Sequence, residues 1–201
     1  VCGPGNNGGD GYVLARLAKE AGLATTVLSP ANTAGLKGDA AAARNAWHKT
    51  GGTVQVFSVE HLQACDVIVD ALFGTGLERP LEGEWRAAIE AMNANGRPIF
   101  AIDIPSGLHA DSGRVLGAAV RAALTLSFIG LKAGLFTGQG REHSGLILFD
   151  DLGVPGAVFS DVTPLARRIT QRNLHGLLAP RVRHAHKGDA GRVLVVGGQP
   201  G

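Results

Sequence analysis

The sequence predicts an α/β fold: a Rossmann-like, doubly wound, mostly parallel sheet with helices on both faces. Three observations predict it. Short apolar runs alternate with helix-patterned stretches along most of the chain, the order that builds βαβ units. Gly and Asp stand at the ends of those runs, where such sheets carry their ligands. The run Asp66-Val-Ile-Val-Asp70 is apolar through its middle, as a strand buried on both faces is.

The elements follow in order. Val1-Cys-Gly3 reads as part of a strand that feeds a glycine loop. Residues 11–21 place Val13, Leu14, Leu17, Ala18 and Ala21 on one helical face, and Gly22 supplies a C-terminal stop. Residues 25–28 are a short strand closed by Ser29-Pro30. Residues 36–49 are alanine-rich and run into Gly51-Gly52, which favours helix. Residues 53–57 and 66–70 are the next strands, residues 83–94 a helix, and Pro98-Ile-Phe-Ala-Ile-Asp103 another strand. Residues 124–129 and 146–149 add two more.

Residues 1–160 are expected to form one domain and 161–185 a basic linker carrying Arg167, Arg168, Arg172, Arg181 and Arg183. Residues 186–201 read as the first strand and turn of a second, truncated domain. The chain is expected to be a fragment at both ends, because it opens and closes on strand-like runs.

Composition excludes several function classes. Of 201 residues, 45% are hydrophobic and 18% charged, which rules out intrinsic disorder. The 19 Lys+Arg against 17 Asp+Glu leave +2, too slight for an electrostatic grip on nucleic acid or on a membrane. No apolar run approaches the roughly 20 residues that span a bilayer. Cys2 and Cys65 sit in apolar surroundings, read as small core residues, and fit a reducing compartment; a cytoplasmic location is expected. Glycine is in excess, 30 of 201, about twice the roughly 7% average. That excess points to tight turns and to backbone lying close to ligands.

Three strand-end loops hold the chemistry. In Gly3-Pro-Gly-Asn-Asn-Gly-Gly-Asp-Gly11, the glycines at 3, 5 and 8 satisfy G-x-G-x-x-G between a strand and a helix. A redox-cofactor site would also need an acidic residue ending the second strand, and Ser29-Pro30 stands there instead. Exposed amides at a helix N-terminus still suit phosphate, and Asn6, Asn7 and Asp10 add polar side chains. The second loop, Asp70-Ala-Leu-Phe-Gly-Thr-Gly-Leu-Glu-Arg-Pro80, offers flexible backbone, the Thr75 hydroxyl and Arg79. Arg79 would either address a phosphate or pair with Glu78 or Glu82. The third, Asp103-Ile-Pro-Ser-Gly107, places a carboxylate at a strand tip, where it would serve as a general acid/base or as a turn cap. A Ser106–Asp103–His109 hydrolase triad is rejected, since the G-x-S-x-G elbow is absent. Asn7, Asp70 and Ser106 all bear oxygen and all lie at strand ends on one edge, a set suited to a hard cation and not to zinc. His184 and His186 lack a four-ligand zinc spacing.

These residues closely resemble the NAD(P)H-hydrate epimerase family. The resemblance rests on Gly5-Asn-Asn-Gly-Gly-Asp-Gly11 with Arg16, on residues 69–80, and on Asp103-Ile-Pro-Ser-Gly107. Thr125-Leu-Ser-Phe-Ile-Gly-Leu-Lys-Ala-Gly-Leu-Phe-Thr-Gly138 and Phe149-Asp-Asp-Leu-Gly-Val-Pro155 extend it to about residue 155. The tail, His186-Lys-Gly-Asp-Ala-Gly-Arg-Val-Leu-Val-Val-Gly-Gly198, resembles the start of the ADP- or ATP-dependent NAD(P)H-hydrate dehydratase domain, which is ribokinase-like. The family's helices that precede the first strand, and nearly all of the dehydratase, are absent from this sequence.

The resemblance implies a substrate and roles. The substrate would be NADH or NADPH hydrated at C6 of the nicotinamide ring, and the reaction would interconvert its R and S epimers. Asn6, Asn7, Gly8, Gly9 and Asp10 would hold it, together with Gly74, Thr75, Gly76, Leu77, Glu78, Arg79 and Pro80. Asp103 would bind and catalyse at the reacting end. Potassium would sit between Asn7, Asp70 and Ser106, and ADP or ATP would be needed only for the missing dehydratase. The expected partner is this small molecule, not nucleic acid or membrane, and a homo-oligomer is compatible with the sequence. Two rival functions use the same sheet: an NAD(P)-dependent oxidoreductase and a non-catalytic binding module.

Overall fold

The computed structural model describes residues 1–31 and 35–171, with isolated positions 173, 184, 192, 194, 197 and 198. Its strands are β1 (Val27–Ser29), β2 (Val54–Val56), β3 (Ile68–Asp70), β4 (Ile99–Ile102), β5 (Leu124–Phe128) and β6 (Leu146–Asp150). β1 pairs with β2, and β3, β4, β5 and β6 are hydrogen-bonded in that order, every pair parallel. Residues 1–3 join the two sets. The Cys2 N–H donates to Leu28 O, the Gly3 N–H to Ala71 O, and the Ala71 N–H to Val1 O, each at 2.9 Å.

The helices are α1 (Asn6–Glu20), α2 (Gly38–Lys49), α3 (Val59–Gln63), α4 (Gly83–Ala94) and α5 (Gly140–His143). Alternate strand residues feed two cores, as strands covered on both faces require. Ile68, Ile99 and Ala101 pack with Leu62 of α3 and with Ile89 and Met92 of α4. Val69 and Ile102 point the other way, toward Tyr12 and Ala15 of α1 and Trp47 of α2. The doubly wound architecture with helices on both faces is what the structure has.

Several elements depart from the sequence reading. The first helix starts at Asn6, not residue 11, so the polar loop is its opening turn. Its expected apolar face is also reversed: Val13, Leu14 and Leu17 are 39%, 41% and 51% exposed. The buried face is Asn7, Gly8, Gly9, Gly11, Tyr12 and Ala15. Close approach decides this. A Cβ on Gly11 would lie 2.6 Å from Ala71 Cβ and 2.7 Å from Cys2 Sγ, and one on Gly8 would lie 2.1 Å from Gly3 O. A helix that rests on a sheet through glycine buries a face that no hydrophobic pattern marks. The short helices α3 and α5 were not predicted; at 5 and 4 residues they offer too little periodicity to read.

The chain divides into two units, Val1–Val162 and Thr163–Gly201. Nearly half of the expected basic linker (12 of 25 residues), and most of the expected strand and turn over 186–201, lie outside the described residues. No helix among the described residues is long and apolar enough to cross a membrane.

Candidate active site

Helix α1 opens without a side-chain cap: Gly5 is its N-cap, and the Gly9 N–H makes the first turn's bond to Gly5 O at 3.2 Å. The N–H groups of Asn6, Asn7 and Gly8 therefore have no intrahelical acceptor, and with the helix dipole they favour an anion. Asn6 and Asn7 from this turn, and Asp10 just beyond it, line a cavity of 580 Å³.

The loop after β3 forms the opposite wall. Gly74, Thr75, Gly76, Leu77, Glu78 and Arg79 all line the same cavity, and so does Asp103 from the end of β4. Asn7 touches the loop directly: a Cβ on Gly74 would lie 3.4 Å from Asn7 Cβ. Arg79 forms no ion pair with Glu78 or Glu82 among the described residues. Gly8, Gly9 and Pro80 are not on the cavity wall; Gly8 packs on Gly3, and Gly9 on Ala40 of α2.

Asp70, at the end of β3, is fully buried. The Ser106 hydroxyl donates to its Oδ1 at 2.6 Å, the Ser106 N–H to Oδ2 at 2.8 Å, and the Leu72 N–H to Oδ1 at 3.2 Å. Burial pushes the Asp70 carboxyl above the ordinary aspartate range, against the lowering effect of these hydrogen bonds. No lysine, arginine or histidine among the described residues forms an ion pair with it. Asn7 is buried too, and its Nδ2 has no hydrogen-bond partner. Ser106 is thus committed to Asp70. His109 is committed elsewhere: its Nδ1 accepts from the Asp111 and Ser112 N–H groups, both at 3.3 Å, so no triad exists.

All three strand-end loops and the cavity they enclose lie within residues 1–134, the stretch that matches the family described as YjeF-related protein N-terminus. The chain belongs to this family. It is similar over its whole length to the bifunctional NAD(P)H-hydrate repair enzyme Nnr of Escherichia coli (strain K12), at 42% identity over 201 residues. The repair enzyme Nnr of Coxiella burnetii is 43% identical over 200 residues. The chain covers 39% and 41% of these two proteins, about two fifths of their length. Among solved structures, that of yeast ynu0 (YNL200c) superposes with a TM-score of 0.59 at 27% identity. That match covers 66% of this chain and 58% of the yeast chain.

Within this YjeF-related domain, one residue at the site escaped the sequence reading. Lys132 forms an ion pair with Asp103, the two side chains being 15% and 17% exposed, and also donates to Phe128 O at 2.8 Å. It lies 29 positions from Asp103, and only the parallel pairing of β4 with β5 brings the two together. A second signal also appears only in three dimensions. Burial pushes the Asp10 carboxyl above the ordinary aspartate range, and the Asp103 charge adds to the effect. Burial likewise pushes the Cys2 thiol up, which makes it a core residue and not a nucleophile.

Proposed function

We propose that this chain interconverts the R and S epimers of hydrated NADH or NADPH at C6 of the nicotinamide ring, a metabolite-repair step. One observation carries the reading: the first turn of α1, the 74–79 loop and Asp103 surround one cavity. That cavity lies in a chain 42% identical to a protein named as an NAD(P)H-hydrate repair enzyme. The lyase half of the repair, with its ADP or ATP, belongs in this reading to a dehydratase domain of which residues 186–201 are only the opening.

The free amides of α1 and the Arg79 side chain would receive the pyrophosphate. The reacting C6 is a carbinolamine carbon. Protonation of its hydroxyl releases water and leaves a ring iminium cation; water then adds to either face and gives up a proton. Asp103 takes the base role, because its Oδ1 already accepts from Lys132 and from the Phe128 N–H, the partners of an ionised carboxylate. It stabilises the cation and accepts the proton of the returning water. Asp10, which burial favours in its neutral form, supplies the proton to the departing hydroxyl. In this reading two carboxylates with different surroundings divide the two proton transfers.

Potassium would suit a set of hard oxygen donors beside a buried carboxylate. Asn7, Asp70 and Ser106 would hold it through hard oxygen atoms, and it would compensate a buried carboxylate that has no ion-pair partner among the described residues. When bound, it would supply fixed positive charge beside the Asp70 carboxylate. The two cysteines are free, and the reading places the protein in the cytoplasm.

The test is direct. The purified chain is mixed with one separated epimer of the hydrate, and the mixture is followed by chromatography. Equilibration faster than in protein-free buffer is expected, with no change in intact NADH. A rate equal to the buffer control overturns the reading.

A further inference from the structure

We infer that Lys132 is a positioning residue for Asp103: it grips one carboxylate oxygen so that the other faces the substrate cavity. The identity of that substrate rests on the epimerase reading; the grip rests on geometry. The Lys132 ammonium reaches Asp103 Oδ1 and also Phe128 O at 2.8 Å, while the Phe128 N–H donates to the same Oδ1 at 3.1 Å. Asp103, Phe128 and Lys132 thus close a ring of hydrogen bonds, and no donor among the described residues reaches Oδ2.

The backbone is bent to make this ring. Asp103 has φ of 67° and Ile129 has φ of 63°, both in the left-handed region that non-glycine residues avoid, a β-branched one above all. Each centres a three-residue turn at a strand end, closed by the Ile104 N–H to Ile102 O at 2.9 Å and by the Gly130 N–H to Phe128 O at 2.6 Å. These are γ-turns of the rarer, strained sense. The first swings the Asp103 side chain toward β5, and the second starts the segment that returns Lys132 to the end of the same strand.

A largely buried ion pair is weak evidence for stability, because desolvation offsets its attraction, and two strained residues subtract from stability. What the arrangement achieves is the aim of a carboxylate. Lys132 is absent from the cavity wall that Asp103 shares with Asn6, Thr75 and Arg79. It lines the adjoining apolar trough beside Leu126 and Ile129, a trough that shares Asp10, Thr75 and Asp103 with the cavity, and low-dielectric neighbours there strengthen its hold on Asp103. Its ammonium is taken up by Asp103 Oδ1 and Phe128 O, so Lys132 acts through Asp103.

The test uses the purified chain with Lys132→Met, Lys132→Ala and Lys132→Arg. The methionine variant is expected to lose about 10–100-fold in kcat, the cost of a misaimed reacting group, with KM unchanged. Lys132→Arg is expected to regain part of the loss, and added ethylammonium to restore activity to Lys132→Ala. A raised KM at wild-type kcat overturns the inference, as does wild-type kcat in the methionine variant. If the methionine variant does not fold, Lys132→Arg and the ethylammonium rescue decide, and failure of both overturns it. NMR of the lysine ammonium groups supplies a readout without turnover. The Lys132 signal is expected to move on Asp103→Asn and not on Glu90→Gln; no movement on Asp103→Asn overturns the grip. A wild-type chain inactive on both epimers would overturn the epimerase reading and leave that spectroscopic result standing.

Discussion

Ser106 grips both oxygens of Asp70, its hydroxyl at 2.6 Å and its N–H at 2.8 Å, across a gap of 36 residues. The grip ties the loop after β4 to the end of β3 and seals a carboxylate away from water. A sealed carboxylate without a cationic partner is costly, and a bound cation offsets that cost. Potassium is therefore expected to raise the melting temperature relative to choline at equal ionic strength. Asp70→Asn keeps the shape and removes the charge, so it is expected to lose the potassium response. Thermal denaturation in the two salts checks this; an equal response in both proteins would place potassium elsewhere. Ser106→Ala removes a hydroxyl that donates to Asp70 Oδ1 and accepts from the Phe73 N–H at 2.8 Å, and is expected to cost roughly 1–3 kcal/mol of stability.

Asp103 sits at the tip of β4, on the cavity wall and opposite α1. Asp103→Asn keeps the volume and loses the charge and the basicity. Catalysed epimerisation is expected to fall by about 10²–10⁴-fold, the usual contribution of a positioned acid or base, while the circular dichroism spectrum stays unchanged. Single-epimer chromatography measures it, and an asparagine variant with full activity would remove Asp103 from the reaction.

Along with the buried Asp70, Asp10 carries part of the pH dependence. Burial, and then the Asp103 charge, raise its folded value above its unfolded one. Between the two values, the folded chain holds a proton that the unfolded chain has released. Stability contributed by Asp10 is therefore lost as pH rises through that window, from about pH 4 upward. Asp10→Asn cannot ionise and is expected to flatten this part of the stability profile, which urea unfolding across the window reads. In the wild type, activity is expected to decline only as pH rises through the raised folded value, where the proton donor is lost.

Much of the arrangement was legible in the sequence because strand ends were. Asp70 and Asp103 each close an apolar run, and the parallel α/β order alone puts such residues on one rim. The loops at 3–11 and 70–80 were legible as ligand-facing because their glycines and polar residues have no use in a core. Lys132 was not legible, since its partner is set by the register of β4 against β5 and by a left-handed turn at Ile129. The buried face of α1 was hidden for the opposite reason: its contacts are made by the absence of side chains. Val13, Leu14 and Leu17 mimic a core stripe, whereas Gly8 and Gly11 carry no hydrophobic signal at all.

That glycine face yields a prediction of unusual sign. In the interior of a helix, glycine is worse than alanine by about 0.5–1 kcal/mol, so Gly11→Ala would ordinarily stabilise α1. The new Cβ would instead meet Ala71 Cβ at 2.6 Å and Cys2 Sγ at 2.7 Å, closer than carbon atoms pack. Ala71 and Cys2 are 0% and 3% exposed and belong to the segments that join the two sets of strands, so neither can yield without moving the sheet. The overpacking is expected to outweigh the propensity gain and to cost roughly 1–3 kcal/mol. Gly76→Ala serves as the contrast, because a Cβ there meets nothing within 4 Å, and its effect is expected to stay within about 0.5 kcal/mol. Urea midpoints of the two variants decide the matter: a Gly11→Ala protein at least as stable as the wild type would mean that α1 does not rest on the strands through this glycine.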